Sequence, residues 1–254
     1  NLFFYAFGEN EVVKYYENGM FATLQESARF AFKQRLPDRS EINDGLPSEA
    51  LLDLLIQMYT PNAYKLAVRT LFRQNDKNEI KGYDSTYFTR DEKGFSLWLG
   101  QAKLGGETYC KDSIHKDLLD KFKDVYLSKQ LFFVCDKPVE LTDDAKEILR
   151  IINKLNISTM EEDEKTRAKK LIECFKTEKI KIKIPCLLAY GKSDVYGNVS
   201  ELYAKVISEA ETVRDYYKRH TYVFDGFSPE IVFYVFPIES IDRLRDKEKG
   251  FYAG

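Results

Sequence analysis

From Pro47 to Tyr59 the chain reads "PSEALLDLLIQMY", with Leu51, Leu54, Leu55 and Met58 at helical spacing and Leu52 and Ile56 filling the side between them. That pattern predicts a helix apolar over most of its circumference and therefore buried, opened at Pro47 and Ser48 and stopped by Pro61. Upstream, "FATLQESARFAFKQR" puts Leu24, Ala28, Ala31 and Phe32 on one side of an earlier helix spanning 21–35, which "LPDRSEINDG" breaks. Beyond Pro61 come β-prone runs: "KLAVRTLF" from Lys65, "GYDSTYF" from Gly82 and "FSLWLGQA" from Phe95. The polar loop "TRDEKG" joins the last two as a hairpin. After Gly105 and Gly106 the spacing predicts one helix over 111–129, with Ile114, Leu118, Leu119 and Phe122 on one face.

The segment 142–179 is helical in pattern and densely charged, as in "DDAKEILRIINKLN" and "EEDEKTRAKKLIECFK". A solvated helical pair is its default reading. "KIKIKIPCLLAYG" then reads as a strand whose first half alternates Lys with Ile and whose second half is buried. A helix over 199–220, a strand "PEIVFYVFPI" and a short helix "ESIDRLRD" complete the chain. From Pro47 to Gly191 the order is α-β-β-β-α, a helical insertion, then β. This predicts an α/β fold with a mixed central sheet flanked by helices. The expected organisation is an N-terminal segment over 1–45 and one domain over 46–254, with the insertion at about 142–179.

Composition narrows the function. A net charge of −2 gives no general attraction for nucleic acid, so any such contact needs a local basic surface or a partner. The four cysteines contain no CxxC pair and suit neither a zinc site nor a compact disulfide framework, as in a reduced, cytoplasmic protein. The two histidines, His115 and His220, are far apart in sequence, which weakens histidine-based metal clusters and triads. No apolar run approaches the roughly 20 residues of a membrane span. "NLFFYAF" at the start reads as a core strand and not as a signal peptide. Neither a glycine-rich phosphate loop nor a nucleophile elbow is present.

Chemistry concentrates around "FSLWLGQAKLGG". Strand side chains alternate faces, so Gln101 and Lys103 point the same way, while Trp98 points oppositely and reads as core. Asp84 lies in the preceding run, the expected antiparallel neighbour, and Glu49 in the first turn of the incoming helix. Oxygen donors from Asp84, Gln101, Glu49 and the Ala102 carbonyl suit Mg²⁺, with Mn²⁺ as the alternative. Lys103 would then hold or activate the attacking water and offset charge on a scissile phosphate. His115 and Lys116 are candidates for phosphate contact, as are Lys181 and Lys183. The plainer reading makes Lys103 a solvated strand end, Asp84 turn chemistry and the lysines of "KIKIKI" the guard of an edge strand.

Asp84 followed by Gln101-Ala102-Lys103, with Glu49 on a helix before them, resembles the core of PD-(D/E)xK nucleases. More closely, "SEALLDLLIQMY", "KGYDSTYF", "LWLGQAKLG", "IPCLLAYG" and "FSPEIVFYVFPIESIDRLRD" stand in an order similar to the HamA nuclease family of the Hachiman anti-phage defence system. The resemblance implies a restriction-endonuclease-like core and a metal-dependent DNA nuclease restrained by a superfamily 2 helicase partner, HamB. The departure is Gln101, where the family pattern "GEAK" has glutamate. A neutral amide oxygen attracts Mg²⁺ less than a carboxylate does. Gln101 is therefore either a natural Gln-x-Lys variant or an inactivating Glu→Gln change. It also motivates a second reading, a non-catalytic subunit with a degenerate nuclease fold that binds DNA or a helicase.

Overall fold

A computed structural model describes residues 16–27, 30, 45–60, 62–68, 82–135 and 143–246. Of the N-terminal helix predicted over 21–35, residues 24–27 and 30 are helical, residues 21–23 are not helix, and the rest lies outside the described residues, as do "NLFFYAF" and the second half of "KLAVRTLF". Helix α1 spans Leu46–Tyr59. Its buried stripe is Glu49, Leu52, Asp53 and Ile56, at i, i+3, i+4 and i+7, while Met58 is exposed. Two carboxylates therefore sit on the inward face that the apolar pattern assigned to leucines. Glu49 in the first turn also favours the helix dipole.

The strands are β1 (Tyr64–Val68), β2 (Ser85–Asp91), β3 (Gly94–Gly105), β4 (Lys181–Gly191) and β5 (Glu230–Ile238), side by side in chain order. The β1–β2 and β2–β3 pairs are antiparallel, and β3–β4 and β4–β5 are parallel, giving a mixed sheet of five strands among the described residues. The β2–β3 hairpin is tighter than "TRDEKG" predicts. Thr89, Arg90 and Asp91 pair with Ser96, Phe95 and Gly94, which leaves Glu92 and Lys93 as the turn. Gly94 adopts φ 121°, a conformation only glycine tolerates easily. β4 is not an edge strand, because β5 pairs along it. That pairing begins at Lys183, which is thus not an edge guard but lies over the Trp98 ring and pairs with Glu230, while Lys181 precedes it and is exposed.

The helix predicted over 111–129 is two helices, α2 (Glu107–Asp120) and α3 (Asp124–Cys135). No glycine or proline marks the break. Phe122 is buried in the core, and the Tyr83 hydroxyl donates to the Lys121 carbonyl, so tertiary contacts end α2. Ile114 and Leu118 are buried, whereas Leu119 is exposed and not part of that face. The insertion forms α4 (Asp143–Ser158) and α5 (Glu164–Thr177), the latter capped by Asp163 accepting from Lys165 N and Thr166 N. α6 spans Leu202–Lys218, and residues 241–246 form a last helical turn.

Helices cover both sheet faces. Leu52 and Ile56 of α1 pack with Trp98, Ala102 and Leu104 on one. The larger core lies on the other, where Leu97 and Leu99 meet Cys110, Ile114 and Leu118 of α2. Ile148, Ile152, Leu171 and Phe175 join that second core, so the insertion is integral and not a solvated pair. No described helix is long and apolar enough to cross a membrane. This α/β sheet with flanking helices is consistent with a restriction-endonuclease-like core.

Candidate functional site

β3 outruns its neighbour. Gly100 pairs with Ser85, the first residue of β2, so Gln101 to Gly105 pair on the β4 side while β2 has already turned away. Asp84 stands at this opening, just before β2 and not within it, with its N–H donating to the Gly100 carbonyl at 3.0 Å. Its carboxylate oxygen Oδ2 accepts the Ala102 N–H at 2.7 Å. N–H and C=O of one strand residue point the same way, so the Ala102 carbonyl opens toward the same gap. Gln101 and Lys103 share the α2 face of β3, as their spacing predicts, and Trp98 is on the other, buried with its Nε1 donating to Thr89 Oγ1.

Gln101 is fully buried. Its Nε2 donates to the Gly100 carbonyl at 2.7 Å, and its Oε1 accepts from Lys121 Nζ at 2.7 Å. Asp117 on α2 completes the arrangement, its Oδ2 lying 2.7 Å from Lys103 Nζ and 3.1 Å from Lys121 Nζ. Burial lowers the Lys103 pKa, but the Asp84 and Asp117 carboxylates outweigh it and hold the amine above the usual lysine range. Lys103 is therefore an ammonium at neutral pH. As an ammonium it can hold water and offset phosphate charge.

Sequence reasoning missed Asp117 and Lys121. The signal was present: Asp117 and Lys121 are four apart on the helix that follows the motif, a spacing that puts them on one face. Tyr109 packs against Gly105, where an added Cβ would lie 2.8 Å from its ring. Glu49 is buried on α1, the helix that covers the opposite face of β3, where Leu52 of α1 abuts Gly100. His115 is drawn elsewhere. Its ring centroid is 4.2 Å from that of His220, and its Nδ1 is 2.8 Å from the Tyr222 hydroxyl, so the two histidines distant in sequence are neighbours in space. Lys116 is exposed on α2. Lys181 and Lys183 align with Ser96 and Trp98, so Lys181 is seven residues along β3 from Lys103, roughly 20 Å at strand rise.

The donor set is oxygen throughout: the Asp84 carboxylate, the Gln101 amide oxygen and the Ala102 carbonyl. It suits a hard divalent cation in chemistry. In charge it is weak. The formal charges of Asp84 and Asp117 are cancelled by Lys103 and Lys121, whereas a glutamate at 101 would leave the group at −1. Among the described residues no group of three or more His, Cys, Asp or Glu side chains could hold a metal ion.

No curated protein matches the chain significantly. The family profile of HamA, by contrast, matches residues 1–253. With the sheet, the flanking helices and the ordered "GYDS" and "LWLGQAK" segments as described, the chain belongs to the HamA family and is a Hachiman anti-phage defence protein.

Proposed function

We propose that the chain is a metal-dependent DNA nuclease effector that hydrolyses phosphodiesters under the control of a helicase partner, HamB, in the bacterial cytoplasm. The observation that carries this reading is the meeting of Asp84, Gln101, the Ala102 backbone and Lys103 where β2 leaves β3. Asp84, Gln101 Oε1 and the Ala102 carbonyl would hold Mg²⁺ or Mn²⁺, with Glu49 as a further oxygen donor from α1. When bound, the metal supplies Lewis-acid polarisation of a phosphoryl oxygen and an acidified water. Asp84 also accepts the Ala102 N–H, which ties the two metal-facing segments together. Lys103, charged and steadied by Asp117, orients water and neutralises charge on the phosphate. The net charge of −2 supports a nuclease that needs its partner to reach DNA.

Plasmid cleavage in Mg²⁺ by the protein as given and by its Gln101→Glu form tests this. Cleavage by the Glu form alone marks Gln101 as a silencing residue. Equal cleavage makes Gln101 a working ligand. If neither cuts, alone or with the helicase, the nuclease reading fails.

One observation favours a second reading, a non-catalytic DNA- or helicase-binding subunit. The Gln101 amide uses both of its ends, donating to Gly100 and accepting from Lys121. A carboxylate has no donor to give the Gly100 carbonyl, so this pocket suits glutamine. Helicase or DNA binding by the protein as given, with no cleavage by the Gln101→Glu form, is the outcome that reading requires.

A further inference from the structure

α2 ends where its sequence gives no reason to end, and the residue at the break reaches into the site. Lys121 follows Asp120 with φ −86° and ψ −9°, its N–H bonded to the Asp117 carbonyl. Its own carbonyl accepts from the Tyr83 hydroxyl at 2.8 Å, and the next residue, Phe122, packs its ring 5.2 Å from that of Tyr83. Tyr83 is the neighbour of Asp84. The break is thus bolted to the segment that presents Asp84, and the Lys121 ammonium falls 2.7 Å from Gln101 Oε1. Asp117 Oδ2 receives Lys121 and Lys103 together, which fixes both ammonium groups.

An ammonium at this distance takes the same lone pairs of residue 101 that a divalent cation would use, and it repels that cation. We propose that Lys121, steadied by Asp117, is a positioning residue that latches residue 101 to the α2–α3 junction, so that a divalent metal must displace it to gain its ligand. The inference rests on the metal-nuclease reading above and adds an element to it: occupancy of the site is opposed from within the chain.

The test is calorimetric titration with Mn²⁺ of Gln101→Glu, of Gln101→Glu with Lys121→Gln, and of Gln101→Glu with Lys121→Arg. Thermal melts without metal select folded proteins, with Lys121→Met as the substitute for Lys121→Gln. Removing the ammonium is expected to tighten Mn²⁺ binding by about tenfold or more, whereas the arginine form, which keeps the charge, binds like Gln101→Glu alone. Equal affinity with and without the charge at 121 overturns the latch and leaves the metal site standing. No binding by any of the three, with the latch removed in one, removes the metal reading and the latch together.

Discussion

Lys103, Asp117 and Asp84 show how single residues divide the work of this site. Lys103 lies within ion-pair distance of Asp117, and its raised pKa keeps it charged, so its proposed role is electrostatic. In a cleaving form, Lys103→Ala should cut the rate of Mg²⁺-dependent plasmid nicking by about 10²–10³-fold, the scale seen when a preorganised charge-stabilising donor is lost. Undiminished nicking would remove Lys103 from the site. A second acid carries a pH signature. Asp53 on α1 pairs with Lys65 at 2.7 Å and accepts from Gln57, yet burial outweighs these partners and raises its pKa from 3.8 to about 6. Between those values the folded protein keeps a proton that the unfolded chain has lost. Asp53 therefore contributes stability that is full below the unfolded value and is lost as pH rises through about 6. Asp53→Asn, with no proton to lose, should gain stability relative to the parent between about pH 4 and about pH 7, read from urea midpoints at each pH. The alternation rule put Gln101 and Lys103 on one face correctly, because it depends on the chain alone. The four-residue spacing of Asp117 and Lys121 shows that they share a face, but nothing local says that this face turns toward Gln101.

At the scale of elements, most helices and strands were legible as stretches, and their ends were not. β4 follows its apolar pattern closely, and α1 forms where its pattern places it but turns Glu49, Leu52, Asp53 and Ile56 inward in place of Leu51, Leu54, Leu55 and Met58. The hairpin turn and the α2–α3 break do not follow theirs. Ladder pairing absorbed all of "TRDEKG" but Glu92 and Lys93, and a buried Phe122 with a tethered Lys121 carbonyl broke a segment whose composition favours a continuous helix. The junction of α1 with β3 has its own test. At Gly100 an added Cβ would meet the Ser85 hydroxyl and would lie 2.9 Å from Leu52 Cδ2. Ser85 can rotate, but Leu52 is fully buried. Gly100→Ala should therefore destabilise the protein by about 1–3 kcal/mol in chemical denaturation, with the larger values if α1 must lift from the sheet. A neutral result would mean that the α1 packing is looser than described.

The whole molecule decides what the insertion is. Its charged pattern favoured a solvated pair, yet Leu171 is fully buried and shares one core with Leu97 of β3 and Ile114 of α2. Leu171→Ala should cost about 2–5 kcal/mol and lower a single cooperative unfolding transition. A separate early transition for the insertion, seen by circular dichroism against intrinsic fluorescence, would show it to be an independent unit. The sequence by itself determined the α/β class, the order of elements, the face shared by Gln101 and Lys103, and the family resemblance, because these follow from periodicity, strand alternation and local motif. Only the tertiary structure decided that β2 leaves β3 at Gly100, that Asp84 turns its carboxylate onto the Ala102 amide, and that Asp117 and Lys121 close over residue 101. Each of these depends on where one element stops against another, and that is set by packing and ion pairing between residues far apart in the chain.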